Sequence, residues 1–472
     1  MSKYETLTKR IDSNFKDLSK IARDIWEHPE IALKESFASN LLANELEKAG
    51  FKLEHGVGDL ATAFIASWGE GKPIIGLLGE YDALPGLSQS VSATREPIVN
   101  AGPGHGCGHN LFGTAAFGAA VAVKELMENE GITGTIRFYG CPAEETLVGK
   151  TFMARAGVFD DLDAAITWHP GSNNMVINSS STAMNSFKVN FHGAASHAAA
   201  APHLGRSALD GAQLMDIGVN YLREHVIQEA RMHSVISSGG QAPNVVPAYA
   251  QIWYYVRAPK RHQVDEIYAR VLDIAKGAAL MSGTSYDIDF VTGCYDYMPN
   301  KALTALMFEH LKTLEGSMSF SDEEKQFAKE LQASFPQGSL ESDIGWLKTG
   351  TKDYVPEDGK TALNERVLEH SDNPPGMAGS TEVGDVSHIC PTVQMTSTCW
   401  PLGTPAHSWQ TVASSGSSIG MKGMLFAAKA LGLTALDLFL KPDVLKAARA
   451  EFDKEKQGEP YVTPIPEGVM PH

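Results

Sequence analysis

Along this chain, short continuous apolar runs repeatedly stop at a residue able to do chemistry. Residues 72–82, KPIIGLLGEYD, run into Asp82, and residues 134–145, GTIRFYGCPAEE, run into Glu144 and Glu145. Residues 162–170, LDAAITWHP, end at His169, and residues 392–409, TVQMTSTCWPLGTPAHSW, reach His407 after a longer loop. Apolar runs bounded by turn residues read as strands buried on both faces, the kind found in α/β sheets. Helical periodicity separates them, in SFASNLLANELEKAGF before the first and in a helix starting near Asn110 before the second. Ligands of open α/β sheets sit outside the carboxyl ends of the strands. The pattern therefore predicts that Asp82, Cys107, His109, Glu144, Glu145, His169 and His407 gather at one rim.

The rhythm changes over residues 184–297. SFKVNFHG alternates as a strand and GRSALDGAQLMDIGVNYLREHV is amphipathic at helical spacing. Two strands follow (HSVISSGG and AYAQIWYYVRAP), then a helix (QVDEIYARVLDIAKGAALMSG) and a last strand (SYDIDFVTG). This β-α-β-β-α-β order is that of a ferredoxin-like sandwich. The expected organisation is a catalytic domain in two parts, 1–183 and 298–472, interrupted by a 184–297 domain. Residues 313–376, charged and rich in turn formers, read as a surface elaboration of the first domain.

Composition narrows the class. The 472 residues carry a net charge of -17, which argues against nucleic acid as a partner, because phosphates need a basic face. The N-terminal stretch alternates charge and apolar residues with no cleavable leader, and the most apolar helical stretch, residues 111–127, is too short to span a membrane. Five cysteines in so long a chain do not suggest a disulfide framework, so a cytoplasmic location is expected.

The chemistry centres on GPGHGCGHN, residues 102–110, where His105, Cys107 and His109 occupy alternate positions of a glycine-rich stretch. Taken alone it reads equally as metal ligands or as a histidine-rich loop; a nucleophilic cysteine with its base is the weaker reading, because it leaves the glutamate doublet, His169 and His407 without a role. Cys107, His109, Glu145, His169 and His407 together exceed what one tetrahedral ion needs, and two ions sharing a ligand fit the count. One member of the Glu144–Glu145 doublet can then bind metal while the other serves as general base. A helix beginning at Asn110 is expected to favour the thiolate of Cys107.

EYDALPG, HGCGHN, CPAEE, WHP and GTPAHSW, taken in order, resemble the motifs of the M20 metallopeptidases, in their amidohydrolase branch. GAASHAAAAPHLGRSALD, APNVVP and YYVRAP resemble the lid of the same family, and the likeness runs from IARDIWEHPE through nearly the whole chain. The resemblance implies an α/β metallopeptidase-like catalytic domain with a mixed sheet, interrupted by a ferredoxin-like α+β lid and dimerisation domain. It implies hydrolysis of the amide bond of an N-acyl or N-aroyl amino acid, within the group acting on p-aminobenzoyl-glutamate. The alternatives are dipeptidase or aminoacylase specificity and a non-catalytic regulatory role within an amidohydrolase complex.

Carried over by resemblance, Cys107, His109, Glu145, His169 and His407 are ligands of two divalent ions, zinc or manganese, with cobalt and nickel also suited. Cys107 is the bridge, Glu144 the general base, and Asp82 the residue that orients a ligand histidine. His197 resembles the family histidine that crosses a dimer interface to stabilise the oxyanion, while Asn244 and Arg257 resemble residues that hold the substrate. The expected assembly is a homodimer, with a further partner in a related chain of the same family. Asn110 replaces the aspartate common in the wider branch and leaves this ligand set intact.

Overall fold

A computed structural model describes residues 2–472 and divides the chain into two compact units. The first takes the chain through Ser179, Met298–Pro375 and Val386–Tyr461; the second takes Ser180–Tyr297, Gly376–Asp385 and Val462–His472.

The first unit is built on strands β1 (Lys52–His55), β2 (Phe64–Glu70), β3 (Ile74–Glu80), β4 (Gly134–Cys141), β5 (Ala164–Gly171) and β6 (Met175–Val176). The second unit contributes β7 (Ala183–His192), β8 (Arg231–Ser238), β9 (Tyr249–Ala258) and β10 (Ser285–Cys294), and the chain returns for β11 (Thr392–Thr398) in the first. The seven-stranded sheet has the order β1-β2-β4-β3-β5-β11-β6. Its middle strands, β4, β3, β5 and β11, are mutually parallel, whereas β2 joins β4, and β6 joins β11, in antiparallel fashion. All seven residues of β3 are buried, which accounts for its unbroken apolar run.

Helices His109–Glu130 and Ser418–Leu440 pack against each other and against this sheet. Ser418–Leu440, not the 111–127 stretch, is the helix long and apolar enough to cross a membrane, but 83% of its apolar window is buried inside the protein. It is a core helix. His109–Glu130 stops at Gly131, whose left-handed φ of 63° closes the last turn. At its other end a Cβ on Gly113 would sit 2.7 Å from the Glu80 carbonyl oxygen, so glycine lets this helix lie directly on the end of β3. Residues 313–375 belong to the first unit and include two further helices, Asp322–Gln332 and Ser339–Gly350.

The second unit contains the β-α-β-β-α-β succession, with helices Ala208–Leu222 and Arg261–Ser282 between its strands. Its four-stranded sheet is antiparallel, in the order β10-β7-β9-β8. Alternate residues of β9, from Ala250 to Ala258, are buried, the signature of a sheet with one covered face.

Candidate metal centre

Because β3, β4, β5 and β11 run parallel, their carboxyl ends share one edge of the sheet. Asp82 follows β3, and Glu144 and Glu145 follow β4 on a single tight turn, Glu144–Thr146. His169 lies near the end of β5, and His407 precedes helix Trp409–Ser415, which Ser408 caps through the Thr411 N–H. Cys107 and His109 arrive from the glycine-rich loop. His109 is itself the first residue of its helix, one position earlier than the sequence suggests. The cap is Gly108, whose φ of 72° is left-handed. That conformation separates Cys107 from the helix and turns its side chain and that of His109 towards the same space.

Three donor groups result. Cys107, His109 and His169 form one, and Cys107, Glu145 and His407 form another; within each, the candidate ligand atoms lie within 4.8 Å of one another. Cys107 belongs to both. The third, Glu80, His109 and Glu144, brings in a carboxylate that the sequence pattern does not single out.

Hydrogen bonding fixes which atoms face inward. Asp82 is buried, its Oδ1 2.8 Å from His109 Nδ1 and its Oδ2 accepting the Glu145 N–H at 2.9 Å. With Nδ1 committed to Asp82, Nε2 is the His109 atom aimed into the cluster, where it is buried and lacks a hydrogen-bond partner. His169 Nδ1 donates to the Pro170 carbonyl at 2.7 Å, leaving its Nε2 3.3 Å from Cys107 Sγ. His407 Nε2 is 3.2 Å from Glu145 Oε2, while Glu145 Oε1 is buried without a partner. His407 adopts a left-handed φ of 53°, a strained backbone of the kind concentrated at functional sites.

The electrostatics match a site built for cations. Burial, with the Asp82 and Glu80 carboxylates adding to it and His109 opposing, pushes Glu145 up to about 7. Burial and the neighbouring His109 hold His169 down at about 4, so its imidazole is neutral, the form that binds metal. Burial opposes the ionisation of Asp82, yet His109 keeps it below the ordinary carboxylate range. The expected thiolate is not favoured by the protein alone, because burial and the Glu145 carboxylate push the Cys107 thiol up. Burial and the surrounding carboxylates outweigh the helix end. Glu80, Asp82, Glu144 and Glu145 converge here beside the buried ammonium of Lys150, 2.8 Å from Glu80 Oε1. That surplus of negative charge, two orphaned donor atoms and a thiol needing a cation to ionise all fit a bound pair of divalent metals.

Asp82, Cys107, His109, Glu144, Glu145, His169 and His407 therefore meet in the first unit. His197, Asn244 and Arg257 belong to the second. His197 and Asn244 are exposed and lie on neighbouring segments, joined by the Ala198 N–H to the Asn244 carbonyl at 3.0 Å. Arg257 is half-buried on β9, its guanidinium 5.6 Å from the Tyr255 ring centre and its Nε buried without a partner. His105 turns away from the cluster to the Ile25 carbonyl at 3.1 Å, and Asn110 binds the carbonyls of Ala22 and Ser415. Glu80 and Lys150 escape a reading of the sequence; the available signal is an acid closing an otherwise apolar strand, two residues before Asp82.

The model for peptidase family M20/M25/M40 matches residues 76–466. The B chain of the Escherichia coli p-aminobenzoyl-glutamate hydrolase is 44% identical, the match spanning 99% of this chain and 98% of that one. The Xaa-Arg dipeptidase of Mus musculus is 30% identical over 96% of this chain and 92% of its own length. A solved dinuclear metal-binding M20 peptidase from Bacillus subtilis superposes with a TM-score of 0.56 at 16% identity, covering 91% of this chain and 99% of that one. This chain belongs to peptidase family M20/M25/M40 and is an amide-bond hydrolase of that family.

Proposed function

We propose that this chain is a cytoplasmic two-metal amidohydrolase that releases glutamate from p-aminobenzoyl-glutamate or a close N-aroyl amino acid. The observation that carries the reading is the convergence of five donor side chains, with Cys107 common to two groups, around an acid left for catalysis. Cys107, His109, Glu145, His169 and His407 are the residues to hold the ions, zinc or manganese being the best suited to this mixed donor set. Such a pair, when bound, lowers the pKa of a water molecule and polarises the scissile carbonyl.

The chain's own groups do the rest. Glu144, with Oε2 3.8 Å from His109 Nε2, takes a proton from the attacking water and delivers it to the leaving amine nitrogen. Asp82 holds His109 in the tautomer that presents Nε2. Arg257 pairs with a substrate carboxylate, for which its fork of N–H donors is suited. Asn244 contributes to substrate binding, and His197 stabilises the oxyanion in the site of a neighbouring protomer.

A homodimer is part of this proposal. β8 is an edge strand with Val235 and Ile236 exposed, and Ile217 and Tyr221 are exposed on helix Ala208–Leu222. An unpaired apolar edge of this kind invites a second copy. The Escherichia coli relative is one of two named chains of its hydrolase, which supports a second, related chain as a further partner.

The test is glutamate release from p-aminobenzoyl-glutamate by metal-loaded protein, beside Glu144→Ala and a panel including dipeptides ending in arginine. Release by the wild type, lost in the variant, supports the reading. Cleavage of the arginine dipeptides alone would move the specificity to that of the dipeptidase relatives.

A further inference from the structure

Glu35 sits immediately before helix Ser36–Lys48, where an acid ordinarily caps the first turn. It does not do so here. The helix's free N–H groups are taken by Glu30, which accepts from Phe37 at 2.9 Å and Ala38 at 3.1 Å, and Glu35 makes no capping bond. Its carboxylate, completely buried, reaches away from the helix instead. Oε1 accepts the N–H of Ala143 at 2.9 Å and that of Leu33 at 2.8 Å, and Oε2 accepts the Thr62 hydroxyl at 2.9 Å.

Ala143 is the residue before the Glu144–Glu145 doublet, and both it and Leu147, at the far end of the turn, have left-handed φ values of 55° and 57°. An alanine and a leucine hold that conformation only where surrounding contacts impose it. Two buried acids hold the start of this turn: Glu35 takes the Ala143 N–H and Asp82 takes the Glu145 N–H. Glu35 also reaches the opposite strand end. The Thr62 carbonyl accepts the hydroxyl of Tyr81, which stands between Glu80 and Asp82. One side chain thus ties the turn bearing the base and a metal ligand to the strand end bearing Asp82.

We propose that Glu35 is a positioning residue, aiming Glu144 and Glu145 through its hold on the Ala143 N–H. The inference rests on the role of Glu144 and Glu145 in the two-metal reading above. What matters is an acceptor atom at the right reach, not a charge, and burial, which pushes this carboxyl up to about 7, is consistent with that. Glutamine keeps the reach and the acceptor without the charge. Aspartate keeps the charge but, one methylene shorter, withdraws from Ala143.

The experiment compares Glu35→Gln and Glu35→Asp with wild type in the full-length protein, reading kcat and KM for p-aminobenzoyl-glutamate. The visible spectrum of the cobalt(II)-loaded protein, recorded without substrate, reports the geometry at Glu145 independently of turnover. The expected result is a kcat about 100-fold below wild type for Glu35→Asp and within about fivefold for Glu35→Gln, with KM little changed in either. The cobalt spectrum shifts in Glu35→Asp and stays as wild type in Glu35→Gln. Equal spectra in all three proteins, or an aspartate variant at least as active as the glutamine one, would overturn the inference. If wild type leaves p-aminobenzoyl-glutamate intact, the substrate assignment fails while the spectra still decide the role of Glu35.

Discussion

Replacing Asp82 by asparagine changes one atom and forces a conflict between two hydrogen bonds. Asp82 accepts on both oxygens, from the His109 Nδ1–H side at 2.8 Å and from the Glu145 N–H at 2.9 Å. Asparagine offers one acceptor and one donor in the same place. If its carbonyl faces Glu145, its amide donates to His109 Nδ1, the imidazole proton moves to Nε2, and the atom aimed at the metal loses its lone pair. If the carbonyl faces His109, two N–H groups confront each other at Glu145. Each arrangement loses one charge-assisted bond, on the order of 1.5–3 kcal/mol. At about 1.4 kcal/mol per decade this corresponds to roughly 10–100-fold weaker metal binding, the range expected for a group that orients a ligand histidine. The assay is a competition titration of metal-free protein against a chromophoric chelator, with unfolding followed alongside. Affinity within twofold of wild type in a folded Asp82→Asn protein would refute the tautomer argument.

Other consequences follow from the same geometry. Lys150→Met strands the buried Glu80 carboxylate among acids, and urea unfolding is expected to show a loss of about 3–5 kcal/mol, much of it recovered in Glu80→Gln/Lys150→Met. His105 is buried and held at about 4, below its ordinary value, by desolvation and by His109. The unfolded chain therefore takes up its proton first as pH falls, so the stability from this group is complete above about 6.5 and is lost on the way down to 4. Wild type should lose about 3 kcal/mol relative to His105→Gln between pH 7 and pH 4, read from paired urea melts. Gly149→Ala places a Cβ 1.8 Å from the Pro142 carbonyl oxygen, a backbone clash at the turn carrying Glu144. It is expected to cost about 3 kcal/mol and to lower kcat more than KM, checked by unfolding and by steady-state rates.

The strand ends were legible because a parallel strand buried on both faces leaves an unbroken apolar run, and chemistry-bearing residues stood out where each run stopped. The six elements of the second unit were legible for a different reason: an antiparallel sheet with one covered face alternates, and its helices keep helical spacing. Lys150 and Glu80 were not, since they make sense only as a pair formed across seventy residues of chain. Glu35 reads as an ordinary helix-start acid until the structure shows Glu30 occupying that role. The Cys107 expectation failed on electrostatics: spacing locates a helix end, but not the burial and the carboxylates that outweigh it.

Amide hydrolysis by this chain depends, on the reading proposed above, on two divalent ions held by the five-donor cluster. The most direct measurement adds manganese or zinc stepwise to chelated, metal-free protein, following bound metal by elemental analysis and glutamate release from p-aminobenzoyl-glutamate in the same samples. Saturation is expected at two ions per chain, with turnover absent at the start and rising as the sites fill. Turnover that persists in the metal-free protein, or a folded protein that takes up no metal, would contradict the two-metal reading.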